Sequence, residues 1–123
     1  MKVLTIKNPW ATLIVNNIKH YEFRTWKTKY RGKFYIHSSI NNDKNKIGKF
    51  QAYNLDYIDG AIIGEAEIVD CVFVTDDFKK DLLSENCEVY KNSSGYAFVL
   101  KNIKKYEKPI YCKGKLGFWE YDI

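Results

Sequence analysis

From Ala61 to Val74 the chain sets Ile62, Gly64, Ala66 and Ile68 against Ile63, Glu65, Glu67 and Val69. A period of two sustained over that length predicts one long β-strand, which needs neighbours on its edges and cover on its apolar face. The flanking sequence offers them. Val3 to Ile6 is β-branched and apolar, Tyr21 and Phe23 alternate with Glu22 and Arg24, and Phe34 to Ser38 is a further β-rich run. Within Gly95 to Lys101, Tyr96, Phe98 and Leu100 alternate with Ala97 and Val99. Pro109 is expected to break the chain before a last aromatic strand from Leu116 to Tyr121.

Helical spacing is scarcer. Trp10, Leu13 and Ile14 recur at i, i+3 and i+4, which predicts a short amphipathic helix over 9–16. Asn8 is placed to cap it, Pro9 to open its first turn, and Asn16-Asn17 to end it through a left-handed residue. A polar, lysine-rich helix is expected within 40–55, with Ile47, Phe50 and Tyr53 or Asn54 on one side. Thr75 before Asp76, Asp77 and Phe78 marks a capped helix start, with Leu82 and Leu83 facing inward. Five or six short strands with two or three flanking helices predict an α+β fold, a small mixed β-barrel in which closure removes exposed edges.

The 123 residues are one domain's worth of chain, so residues 1–123 are expected to form a single domain. Hydrophobic content of 46% and charged content of 28% exclude a disordered segment. Aromatic residues at 16% exceed what a core of this size needs, so some rings are expected at the surface. Cys71, Cys87 and Cys112 are odd in number and widely spaced, which disfavours a disulfide framework and a zinc ribbon. With no signal-like or membrane-length apolar run, the expectation is a reduced, soluble, cytoplasmic protein with no membrane partner and no cofactor.

Charge is uneven. Residues 1–60 carry 11 basic and 4 acidic side chains, whereas residues 61–123 carry 9 and 11. Between Lys19 and Lys33, six cations face Glu22 alone. Such a field favours a polyanionic partner, nucleic acid first, although a solvated lysine-rich surface gives the same pattern.

The run LTIKNPWATLIVNNIKHYEFRTWKTKYRGKFYIHS from Leu4 to Ser38 resembles the ASCH domain family. Its hallmark, a Gly-x-Lys-x-x-x-Glu-x-Arg-like stretch, is matched by Lys19, Glu22 and Arg24 in that order, with Asn17 where many relatives have Gly. Pro9-Trp10-Ala11, Trp26, Tyr30-Arg31-Gly32, Ile36-His37, Gly64, the strand from Tyr96 to Leu100 and the terminal Gly114-Lys115-Leu116-Gly117-Phe118-Trp119 continue the likeness. The resemblance implies a PUA-like barrel with a cleft beside its helices, and RNA or nucleotide chemistry.

Taken by themselves, Lys19, Glu22 and Arg24 form either a surface salt-bridge network or a phosphate-binding cluster whose carboxylate orients the cations. Trp26 and Tyr30, interleaved with Lys27 and Arg31, are candidates for stacking on unpaired bases. Trp10 is assigned mainly to packing, and His37 gains interest only if it faces Lys19. The first functional reading is therefore an RNA-binding module holding single-stranded RNA or one nucleotide through Lys19, Glu22, Arg24, Trp26, Lys27, Tyr30 and Arg31. The alternative is a small hydrolase, a ribonuclease or an N4-acetylcytidine amidohydrolase, using Lys19 and Glu22 as acid and base. The resemblance places Glu22 where the deacetylating branch has its Thr nucleophile, and strand alternation turns Thr25 away. Deacetylation is therefore not expected. A third reading is a protein-interaction module.

Overall fold

The computed structural model describes residues 1–122. Six strands form one sheet: β1 (Lys2–Ile6), β2 (Tyr21–Arg24), β3 (Gly32–Ser38), β4 (Ala61–Phe73), β5 (Tyr96–Tyr111) and β6 (Phe118–Glu120). Their order is β2-β5-β4-β3-β1-β6, with β1 parallel to β3 and the other pairs antiparallel. The sheet curls into a half-barrel, flanked by α1 (Trp10–Val15), α2 (Lys44–Gly48), α3 (Asp76–Glu85) and α4 (Cys87–Tyr90). No helix among the described residues is long and apolar enough to cross a membrane.

The segment after β1 shows how local chemistry sets the path. Pro9, not Asn8, holds the N-cap position of α1. Asn8 acts one residue earlier: its Oδ1 accepts from Thr12 N–H at 3.1 Å and from the Thr12 hydroxyl at 2.6 Å, while Nδ2 donates to Ile58 O and Asp59 Oδ1. At the other end Asn17 takes φ 61°, and the amides of Asn17 and Ile18 return to the carbonyls of Ile14 and Leu13. This is a Schellman closure, with Asn in the left-handed position. It turns the chain so that Lys19 N–H also reaches Leu13 O and the chain enters β2.

The barrel core joins Leu4, Ile14, Phe34, Ile36, Ile63, Ala66, Ile68 and Phe98. The alternation expected along β4 is interrupted, because its pairing with β5 shifts register between Ile62 and Gly64 and twice more. A bulge moves one residue across the sheet, so Ile63 joins the barrel core while Ile62 packs with Val3 and Trp119 on the other side.

Three further expectations need correction. Pro109 does not break the chain, since β5 runs through it to Tyr111. Beyond Leu100 this strand pairs with β4 on one side and leaves the other side open, where a missing N–H costs nothing. The 40–55 helix is only α2 plus a 3-10 turn at Gln51–Tyr53, with Phe50 buried, Ile40 exposed and Asn54 left-handed. The last strand is shorter than Leu116 to Tyr121, and Leu116 stands in solvent.

The two edge strands, β2 and β6, approach without pairing through their backbones. Rings fill the seam instead. Trp26, just past β2, meets Phe98 at 5.3 Å and Phe118 at 5.8 Å, and Phe98 stacks on Phe118. Part of the aromatic surplus is thus spent on closure.

Gly64 is where α1 and β5 come closest to β4. A Cβ there would lie 2.5 Å from Lys104 O and 2.7 Å from Val15 Cγ1. Gly64→Ala should destabilise the fold by about 1–3 kcal/mol, as overpacking does. Urea unfolding would read this as a lower midpoint, and an unchanged midpoint would contradict the close approach.

Candidate functional site

Lys19 arrives from the closure of α1 and ends inside the protein, its side chain only 4% exposed. Its Nζ donates to Tyr21 O and lies 3.2 Å from Glu22 Oε1. It also sits 5.0 Å from the centre of the Phe23 ring and 5.8 Å from that of Trp10, so two aromatic faces line the ammonium. The other carboxylate oxygen of Glu22 accepts from Arg24 Nε at 2.9 Å, and Arg24 Nη2 donates to Thr5 O at 2.8 Å. Glu22 and Arg24 are two apart on β2 and therefore share a face. One buried carboxylate thus holds two cations, one on each oxygen.

These three side chains line one cleft of about 640 Å³. Its walls come from parts of the chain far apart in sequence. Thr5 and Lys7 come from the end of β1, Trp10 from α1 and Phe23 from β2. Ser39, Asn41 and Lys46 come from the segment around α2, Val89 from α4, Asn92 and Ser93 from the following turn, and Lys115 to Gly117 from the approach to β6. Five cationic side chains face the space, Lys7, Lys19, Arg24, Lys46 and Lys115, against the single carboxylate of Glu22. Lys7 and Lys115 are exposed, so their charge is available at the rim.

Trp10 is partly buried and packs against the core, as expected. One side packs on Phe50 at 5.8 Å and the rest forms cleft wall. Ser93, like Lys46 and Lys115, is a cleft residue that sequence reasoning missed. It is 1% exposed, lines the cleft, and its Oγ has no hydrogen-bond partner among the described residues. A buried hydroxyl left alone costs about 1–3 kcal/mol, which a ligand supplying a partner would recover. Nothing in the string Asn92-Ser93-Ser94 signals this, because the burial comes from tertiary packing.

Trp26, Lys27, Tyr30 and Arg31 lie outside the cleft lining. Trp26 belongs to the aromatic seam and is 37% exposed. Tyr30 packs on Phe118 and donates to Lys33 O, Arg31 donates to the carbonyls of Thr28 and Tyr30 and approaches Asp70 at 3.7 Å, and Lys27 is exposed. His37 does not face Lys19. It is buried between Thr5 and Cys112 and is not among the residues lining the cleft. All three cysteines are free, and no group of metal-ligating side chains stands together among the described residues.

Burial pushes Lys19 below its ordinary 10.5, while Glu22, by charge and hydrogen bond, pulls it back up and Arg24 adds to the depression. The folded protein therefore releases this proton at a lower pH than the unfolded chain. Between the two values the unfolded chain binds more protons, so the contribution of Lys19 to stability rises with pH and is complete only above 10.5. Lys19→Met deletes the ionisation and keeps the stem. Denaturant titrations from about pH 7 to about pH 11 should show the parent gaining on the variant as pH rises. A constant or shrinking difference would contradict the buried, depressed ammonium.

The chain has relatives among known proteins. Over 97% of its length the chain is 28% identical to activating signal cointegrator 1 from Homo sapiens and, over the same share, 26% identical to that from Mus musculus. It spans 22% of the length of these relatives. The crystal structure of ASCH from Zymomonas mobilis superposes with a TM-score of 0.55 at 17% identity, covering 89% of this chain and 72% of that one. A mutant of the same protein gives 0.54 at 18% identity, covering 89% and 74%. These two likenesses bear on the fold. A family model described as ASCH domain matches residues 4–110, nearly the whole curled sheet and its helices, and the chain belongs to that family.

Proposed function

We propose that the cleft beside Lys19, Glu22 and Arg24 binds single-stranded RNA or a nucleotide. The observation that carries this reading is the imbalance of charge within one open cleft. Five cations face the cleft, and the one carboxylate among them has both oxygens already engaged, so the field left for a ligand is positive. Membership in the ASCH family, generally related to RNA binding, supports nucleic acid as the class of partner. Trp10 and Phe23 give apolar ring surface inside the same walls, which a base can pack against. Arg24 contributes a guanidinium whose Nη1 makes no hydrogen bond among the described residues, in position for a phosphate oxygen. Trp26, Lys27, Tyr30 and Arg31 then belong to an outer surface along which a longer strand can run, not to the cleft itself.

Hydrolysis is the second reading, and Ser93 favours it. A hydroxyl without a partner among the described residues lines the same cleft as Lys19, whose ammonium is held by burial below its ordinary pKa. Glu22 is occupied by two cations, which makes it a holder of charge more than a free base.

Binding should depend steeply on salt, with a log–log slope of about −0.7 for each phosphate neutralised on a single strand. Lys46→Gln and Lys115→Gln should each reduce that slope by about 0.7, and Lys19→Met, measured where circular dichroism shows the variant folded, should weaken binding. Titrations of labelled single-stranded and duplex RNA at several salt concentrations test this. The absence of binding at low salt would overturn the proposal. Release of cytidine from N4-acetylcytidine, or cleavage of RNA, by the parent but not by Lys19→Met would establish the hydrolytic reading instead.

A further inference from the structure

Against the cleft lies a second cavity of about 650 Å³, and the two share Thr5, Ser39, Asn41, Lys115 and Leu116. They are therefore neighbours across a low rim, not separate features of the surface. Their chemistry differs. The first is cationic. The second has His37 at its base and an apolar mouth formed by Ile40 and Leu116.

The base of this second cavity is fixed. His37 Nε2 lies 2.8 Å from Cys112 O, and a carbonyl only accepts, so Nε2 carries the proton. Nδ1, 3.2 Å from Thr5 Oγ1, then accepts from that hydroxyl, which itself takes the Trp119 Nε1–H at 3.1 Å. Gly114 closes over the imidazole so tightly that a Cβ would stand 2.8 Å from His37 Cε1. Both ring nitrogens are thus engaged, and the base presents a satisfied surface.

The mouth is the reverse. Ile40 is 79% exposed and Leu116 is 99% exposed, the two highest values for large apolar side chains among the described residues. Both side chains line the cavity and stand in solvent, so a planar ring laid against them would remove apolar surface from water. Lys115, shared with the first cleft, stands on the rim where a linking phosphate would pass.

We propose that this second cavity receives the base of the nucleotide adjacent to the one held beside Lys19, so that the protein takes at least a dinucleotide of single-stranded RNA. The proposal rests on the nucleotide reading of the first cleft and adds to it a subsite, a minimum ligand length and a role for Ile40 and Leu116. A free mononucleotide would fill one side only.

The test compares the four nucleoside 5′-monophosphates with 5′-phosphorylated ribodinucleotides by calorimetry. The best dinucleotide should bind the parent about tenfold more tightly than its own 5′ or 3′ mononucleotide, the order of gain expected when a second base buries apolar surface against Ile40 and Leu116. Ile40 lines the second cavity and not the first. Ile40→Ser, neutral and at an exposed site, should remove most of that gain and leave mononucleotide affinity unchanged. Ile40→Asp should do so more completely. Equal affinity of the parent for mono- and dinucleotides would overturn the second subsite while leaving the first cleft standing. A full gain retained in both Ile40 variants would also overturn it. Failure of the parent to bind any of these probes, or longer RNA, would overturn the nucleotide reading and this subsite together.

Discussion

Arg24 belongs to β2, yet its guanidinium donates to Thr5 O on β1, although three strands separate β2 and β1 in the order of the sheet. Only a sheet curled back toward itself brings these two strands within hydrogen-bond reach. Glu22 makes the contact possible by holding Arg24 on one carboxylate oxygen and Lys19 on the other. Breaking a buried pair from one side leaves an uncompensated charge and costs about 3–5 kcal/mol, so Glu22 is a structural requirement of its two neighbours. The Schellman closure of α1 delivers Lys19, β2 carries Glu22 and Arg24, and the aromatic seam from Trp26 to Phe118 holds the same two edges together further along.

That joint divides the cations of the cleft into two kinds. Lys19 and much of Arg24 are committed inward, neutralised in part and slow to respond to salt. Lys7 and Lys115 are exposed and lack a carboxylate partner within salt-bridge distance among the described residues. Screening over about 8 Å at physiological ionic strength acts on the second kind far more than on the first. Recognition close to the cluster is then a matter of shape and fixed donors, whereas attraction from a distance depends on the rim.

The parts of the structure legible in the sequence are those whose causes are local. The alternation of Tyr21 to Arg24 puts Glu22 and Arg24 on one face, and Asn17 ends α1 because few residues accept a left-handed φ. What was not legible depends on distant chain. Lys46, Ser93 and Lys115 enter the cleft through loops whose course no short pattern encodes. Trp26 beside Lys27 has the pattern of a stacking platform, but the partners of its ring are Phe98 and Phe118, both far away in sequence. The bulge after Ile62 reverses a face because β5 pairs irregularly, and nothing within β4 itself announces it. Pro109 misled for the same reason, since a proline is tolerated or not according to what lies on the far side of the strand.

The far side of β5 beyond Leu100 has a consequence of its own. An open strand edge is a template on which another extended chain can add, the first step of aggregation. Here that edge carries Lys101, Lys104, Lys105 and Lys108, a left-handed Asn102 and Pro109, which cannot donate. Repulsion between like charges, a kink and a missing donor each oppose the arrival of a second strand. Part of the positive charge of this protein thus lies along an open strand edge, where it opposes strand addition and adds nothing to the lining of the cleft.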